Sequence, residues 1–169
     1  MSDLAPLSEV VAEWLEGLEV EHERSADGLM FSFALPGVKK LQVPMRLDLG
    51  QHAVAIHVFV CRRPDENEAG VHRWMLERNM RTFGVSFAID RYGDIYLDGR
   101  LPLAAVSHEG LDQWLGAVLS AADDSFNVLL ELGFASSIRA EWEWRLARGE
   151  STANLEAFRG WLEAGIDPT

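Results

Sequence analysis

The sequence predicts an α+β protein, with one antiparallel sheet and helices packed largely on one of its faces. Three observations predict it. Between residues 29 and 61, apolar residues recur at a period of two in three runs separated by turn residues. On either side of that block the period changes to three and four. A second pair of alternating runs, 85–89 and 95–101, flanks the turn Asp90-Arg91-Tyr92-Gly93 and precedes the most regular helical stripe in the chain. At 169 residues there is enough chain for one sizeable core.

The first predicted helix covers 7–18, where Leu7, Val10, Val11, Trp14, Leu15 and Leu18 make one apolar stripe. Alternation at 19–21 suggests the start of an edge strand. Gly28 turns the chain, and Leu29, Phe31, Phe33 and Leu35 share a strand face. The next strand carries Leu41, Val43, Met45, Leu47 and Leu49 on one side, with Pro44 opposite as a sign of an edge or bulge. The run 53–61 is apolar on both faces and belongs near the sheet centre, covered on both sides or at an interface. Asp65 and Glu68 have the spacing of a capping box for a helix over 66–82. Ser107 is the expected N-cap of the long helix, with its stripe from Leu111 through Leu130 and its end at Gly133. The tail, 136–169, reads as two short helices holding half of the six tryptophans. Core cover is its favoured role and a protein-contact arm the alternative. The expected division is a domain over 1–134 and a helical C-terminal extension over 135–169, packed on the body or swapped between domains.

Charge narrows the partners. The net charge is −12, and the only lysines are the adjacent Lys39 and Lys40. Polyphosphate backbones are bound by displacing counterions with Lys and Arg, so no nucleic acid and no membrane surface is expected as partner. The N-terminus lacks a basic region followed by an apolar stretch, and no apolar run approaches the roughly 18 residues of a span. A cytoplasmic protein is expected. Cys61, the one cysteine, cannot pair internally and reads as a buried thiol.

Reactive constellations are sparse. The five histidines show no i, i+4 pair, and there is no HExxH or CxxC. His57 and Cys61 share a strand face roughly 13 Å apart, too far for one metal unless a bulge intervenes. Asp90, Asp94 and Asp98 have hairpin spacing rather than that of a calcium loop, and Asp123-Asp124 reads as a solvated helix kink. No GxSxG, P-loop or GxGxxG occurs. No catalytic residue, metal site or cofactor is expected, and the chain reads as a non-enzyme. Arg62, Arg63, Arg73 and Arg78 form the candidate ligand site, for a phosphorylated or carboxylated small molecule. Ion pairing with Glu66, Glu68 and Glu77 is the favoured alternative for them. His57 and Phe59 on the doubly apolar strand, with Trp142, Trp144 and Trp161 in the tail, are the candidate protein-contact residues.

The order of elements resembles a known family. Asn79 at a helix end, the run FGVSFAIDRYGDIYLDGRLPL at 83–103, and the helix carrying Leu111, Leu115 and Leu119 resemble the core of the YbjN family of sensory-transduction-regulator domains. The resemblance covers 7–133 and is strongest over 71–126; the tail resembles the extension of actinobacterial members. It implies a fold similar to class I type III secretion chaperones, which have a strongly twisted antiparallel sheet flanked by helices and are often dimeric. It also implies client segments bound along sheet and helix surfaces, and it carries no functional residues over. A non-catalytic, chaperone-like regulatory protein, acting as a homodimer on an unnamed client, is therefore expected. A sensor of phosphorylated metabolites is the alternative.

Overall fold

The computed structural model of the protein describes residues 4–168. Helix α1 spans Ala5–Gly17, and four strands follow: β1 (His22–Arg24), β2 (Met30–Pro36), β3 (Gln42–Leu49) and β4 (Ala53–Cys61). Then come α2 (Glu68–Asn79), β5 (Ser86–Ile89), β6 (Ile95–Pro102), the long α3 (His108–Arg148) and α4 (Arg159–Ala164). The strands form one sheet in the order β1-β2-β3-β4-β6-β5, every pair antiparallel.

Alternation decides the two faces. On the inner face a row of paired residues runs His22–Phe33–Met45–Val58–Leu97–Phe87 across all six strands. Phe31, Val43, Leu47, Val54, Ile56 and Ile95 are buried beside it. Helix α1 supplies Val11, Trp14 and Leu15 to this core, α2 supplies Val71 and Met75, and α3 supplies Leu111, Trp114, Val118 and Leu129. Gly99 makes room for one of them. A Cβ there would stand 2.4 Å from the Gly84 carbonyl oxygen and 3.1 Å from the Trp114 ring, whose Nε1 donates to that same carbonyl at 2.9 Å. Trp14 ties α1 to α3 by donating to Asp112 at 2.7 Å. Asn79 blunts the sheet edge: its side chain accepts from the Phe87 N–H at 2.7 Å and donates to the Phe87 carbonyl at 3.3 Å.

Strand β4 lies between β3 and β6, as its apolar composition predicts, but within the chain only its inner face is covered. Pro44 sits in an interior strand, at a place where β3 is paired with β2 alone. The β3–β4 register begins one residue later, at Met45.

Several boundaries differ from the sequence reading. The extended backbone of β1 starts at His22 rather than at 19, because Glu19 takes a left-handed φ of 55° to close α1. Helix α2 begins at Glu68 behind Asn67, whose φ is 51°; Asp65 does not cap it. A register shift between Phe59 and Cys61 turns the thiol inward, so Cys61 leaves the face of His57 and joins the core.

The largest difference is α3. Gly133 does not end it; the helix kinks at Phe134 (φ −143°) and continues to Arg148. The loop before α2 stabilises the break. The N–H groups of Asp65 and Glu66 donate to the Gly133 carbonyl at 3.0 and 3.2 Å, replacing lost helical donors. In return the Glu66 carboxylate accepts from the Ser136 N–H at 2.6 Å and its hydroxyl at 2.9 Å, starting the helix anew. Asp65 accepts from the Ser137 hydroxyl at 2.9 Å.

The tail folds back on this second half of α3. Leu155, Phe158 and Leu162 are buried with Ile138 and Trp142. Arg139 stacks over Trp161 and donates to the Ile166 carbonyl and Asp167.

Candidate functional site

The outer sheet face, turned away from the helices, is built from all six strands. One row of paired residues crosses all six strands: Glu23, Ser32, Arg46, His57, Asp98 and Ser86. His57 Nδ1 lies 2.5 Å from Asp98, and its Nε2 lies 3.2 Å from Asp48. Arg46 Nε donates to the same Asp48 at 3.0 Å. The neighbouring row is apolar. It brings together Ala34 and Pro44 on one side and Phe59, Tyr96 and Ala88 on the other. The rings of Phe59 and Tyr96 meet edge-to-face at 5.5 Å.

A cleft of about 300 Å³ opens where these rows meet the β5–β6 hairpin, lined by Arg46, His57, Ile89, Asp90, Tyr96 and Asp98. Burial pushes the Tyr96 phenol up, and the negative fields of Asp90 and Asp94 push it further. Asp90 Oδ1 accepts from the N–H groups of Tyr92 at 2.8 Å and Asp94 at 3.0 Å, which shapes the turn.

The four arginines of the candidate ligand site do not converge. Arg62 makes a two-pronged bond to Asp65 and stacks on Phe134, 4.5 Å from the ring centre. Hydrogen bonds from Arg62 and then Ser137 hold the Asp65 carboxyl down at about 2. Arg63 pairs with Glu68 at 2.5 Å and Arg73 with Glu77 at 3.4 Å. Arg78 makes no ion pair among the described residues; with Arg81, Trp74 and Glu77 it lines a cleft of about 170 Å³. Of the candidate contact residues, His57 and Phe59 lie half-buried on the outer face. Trp142 is buried and Trp161 partly so, whereas Trp144 is 46% exposed.

Other features escaped the sequence reading. Asp123 and Asp124 are not a solvated kink. Asp123 accepts from the N–H groups of Lys39 and Lys40, at 2.8 and 3.0 Å, and Asp124 pairs with the Lys39 ammonium at 3.1 Å. Both pin the β2–β3 loop to α3. Lys40 is buried, with its ammonium donating to the Phe59 and Val60 carbonyls. Leu76 on α2, and Met80 and Phe83 just beyond its end, are apolar and 69, 88 and 78% exposed. Their i, i+4, i+7 spacing was the available signal.

Burial pushes the Cys61 thiol up to about 11, away from a reactive thiolate. The buried Ser125 hydroxyl donates to helix carbonyls. Among the described residues no group of three His, Cys, Asp or Glu could hold a metal ion, and no helix is long and apolar enough to cross a membrane.

Comparison with known proteins agrees with this geometry. The family model YbjN, described as "Putative bacterial sensory transduction regulator", matches residues 7–131. A Mycobacterium leprae protein described only as uncharacterized is 52% identical over 133 residues, covering 78% of this chain and 72% of its own. An uncharacterized protein of Mycobacterium tuberculosis is 52% identical over 124 residues, covering 73% and 68%. Among solved structures, one chain of the ExsC-ExsE complex superposes with a TM-score of 0.58 at 18% identity, over 76% of this chain and 97% of that one. One chain of the HopA1-SchA chaperone-effector complex gives a TM-score of 0.52 at 12% identity, over 72% and 95%. The ExoU-SpcU heterodimer from the type III secretion system of Pseudomonas aeruginosa gives 0.52 at 14%, over 72% and 96%. The fold is the type III secretion chaperone-like one.

Proposed function

The chain belongs to the YbjN family, and from that premise we propose that it is a non-catalytic, protein-binding regulator with a chaperone-like mode of contact. One observation carries the reading: the sheet is covered on one face only, and the bare face holds an apolar row over β4 and β6. Half-exposed aromatic residues such as Phe59 and Tyr96 gain most from being covered by a partner. The structural neighbours come from complexes with other proteins, which supports the same reading. We assign 1–134 to the family domain and 135–169 to an extension folded on its own helix. We place the protein in the cytoplasm, where its free thiol stays reduced.

We also assign a homodimer, formed through the exposed residues Leu76, Met80 and Phe83. Light scattering on the full chain is expected to give twice 18.9 kDa, and the double variant Leu76→Glu, Met80→Glu to give 18.9 kDa. A monomeric wild type refutes the dimer. For the client surface, a benzophenone side chain at position 59, irradiated in the native cell, is expected to give a discrete covalent adduct. The same probe at Val38, on the far-exposed β2–β3 loop, is the control. A folded variant that gives no adduct at 59, or the same adducts at both positions, refutes the reading.

One observation favours a second reading, a sensor of phosphorylated metabolites. Among the described residues Arg78 and Arg81 stand without ion pairs beside Trp74, in a protein with 27 acidic residues. A thermal-shift screen of phosphorylated metabolites tests it, with Arg78→Ala expected to abolish any hit. A flat screen removes it.

A further inference from the structure

The bare sheet face is not chemically neutral, and its charges say what kind of segment it takes. Three carboxylates, Asp48, Asp90 and Asp98, stand on or beside it near the aromatic pair. Asp48 is occupied by Arg46 and His57. Asp90 and Asp98 each use only Oδ1: Asp90 for the two turn N–H groups, Asp98 for His57. The Oδ2 atoms of both have no donor among the described residues, and both side chains line the same cleft as Tyr96. Arg46, the one lysine or arginine lining that cleft among the described residues, already spends its Nε on Asp48. The negative field at this point is felt by the Tyr96 hydroxyl, on which Asp90 and Asp94 outweigh the opposing Arg46.

From this juxtaposition we propose that the outer face of β3, β4, β6 and β5 docks a basic segment of a partner protein. A lysine or arginine side chain enters the cleft over the Tyr96 ring, between Asp90 and Asp98. An apolar neighbour lies along Phe59, Pro44 and Ala34. The proposal rests on the protein-binding reading above and adds the chemistry of the partner. Two carboxylate oxygens supply hydrogen-bond acceptors for an ammonium or guanidinium. The ring supplies a cation–π face. The apolar row supplies burial. An acidic segment meets the reverse: two carboxylates whose Oδ2 atoms have no donor among the described residues, in a chain of net charge −12. The lysines of this chain do not compete with the partner's basic residue, because they are held on α3 and at the end of β4, which leaves Arg46 as the competitor in the cleft.

The test uses the full chain, isotopically labelled, and two blocked hexapeptides, one alternating leucine with lysine and the other leucine with glutamate. The lysine peptide is expected to shift amide signals of residues 46–48, 55–59 and 88–98. Its affinity is expected to fall as salt screens the pairs. Asp98→Asn and Asp90→Asn keep shape and turn hydrogen bonding, and each is expected to weaken binding about three- to tenfold. Arg46→Gln removes the competing cation and is expected to tighten it by a similar factor. The proposal is overturned if the glutamate peptide binds as well, if neither peptide binds at millimolar concentration, or if the shifts map to the helices. It is also overturned if Arg46→Gln weakens binding. If the position-59 adduct still forms in cells under any of these outcomes, the protein-binding reading stands and only the basic character of the partner falls.

Discussion

Lys40 offers the sharpest test of the packing described above, because its neighbour Lys39 is a built-in control. The ammonium of Lys40 donates to the Phe59 carbonyl at 2.8 Å and the Val60 carbonyl at 2.5 Å. These lie at the end of β4, past the last residue registered with β3, Val58. The residue is only 8% exposed, and its ammonium lies 4.8 Å from the Phe59 ring centre and 5.3 Å from that of Phe126. Lys40→Met keeps the length and apolar stem but takes the ammonium donor from two strand carbonyls, at a cost of about 1–3 kcal/mol each. Part is recovered, because burial pushes the Lys40 amine down and the native state already bears the cost of a desolvated charge. The balance is a loss of about 2–4 kcal/mol, or a fall in Tm of roughly 5–15 °C for a chain of this size. Lys39→Met breaks only a pair whose side chains are 39% and 51% exposed, and it should cost under about 1 kcal/mol. Urea denaturation followed by tryptophan fluorescence measures both. If the two variants unfold at the same urea concentration, the role given to Lys40 is wrong.

Two other perturbations probe different parts of the fold. Glu66→Ala removes the acceptor for the Ser136 N–H and hydroxyl, costing about 1–2 kcal/mol; amide exchange should quicken over 136–148 while the central strands stay protected. Uniform quickening across the chain would contradict a local cap. Cys61 predicts an alkaline effect. Its folded thiol sits at about 11, above 9.0 when unfolded, so its contribution is complete below pH 9.0 and is lost as pH rises through about 11. Lys40 runs the other way, since its folded value lies below 10.5 and its contribution grows as pH rises. Cys61→Ala should therefore gain on the wild type between those two pH values, by up to about 2–3 kcal/mol at roughly 1.4 kcal/mol per pH unit. A difference that stays constant with pH would rule this out.

The parts of the fold legible in the sequence are those set by local periodicity. Leu29–Phe31–Phe33–Leu35 and Val54–Ile56–Val58–Val60 announce strand faces on their own, and Ser107 announces its helix because capping is local. Exchanges between distant segments were illegible. Gly133 looks like a helix end, and one carbonyl does lose its helical partner there. What makes the chain resume a helix is Glu66, 70 residues away from Ser136. Asp123 and Asp124 look solvated for the same reason: their donors lie on a loop more than 80 residues earlier. The bulge before Cys61 leaves no mark in an apolar run, because both parities are occupied by apolar residues.

The site was harder still, and the reason lies in what alternation measures. A strand with polar residues on one face records that this face meets water in the free chain; it does not record whether a partner later covers it. His57 and Phe59 in the half-apolar register of β4 were visible as unusual. Their partners, Asp98, Asp48 and Tyr96, come from β6 and β3 and are fixed only by register. The arginines follow the favoured reading of ion pairing. Arg62, Arg63 and Arg73 lie close in sequence, and each finds a carboxylate within five residues, which short-range geometry satisfies first. A charge that can be met locally on an acidic chain is poor evidence of a ligand. The informative groups are those the fold leaves unmet: Oδ2 of Asp90 and Asp98 on the sheet, and the exposed apolar residues on and just beyond α2. The proposed recognition of other polypeptides rests on them.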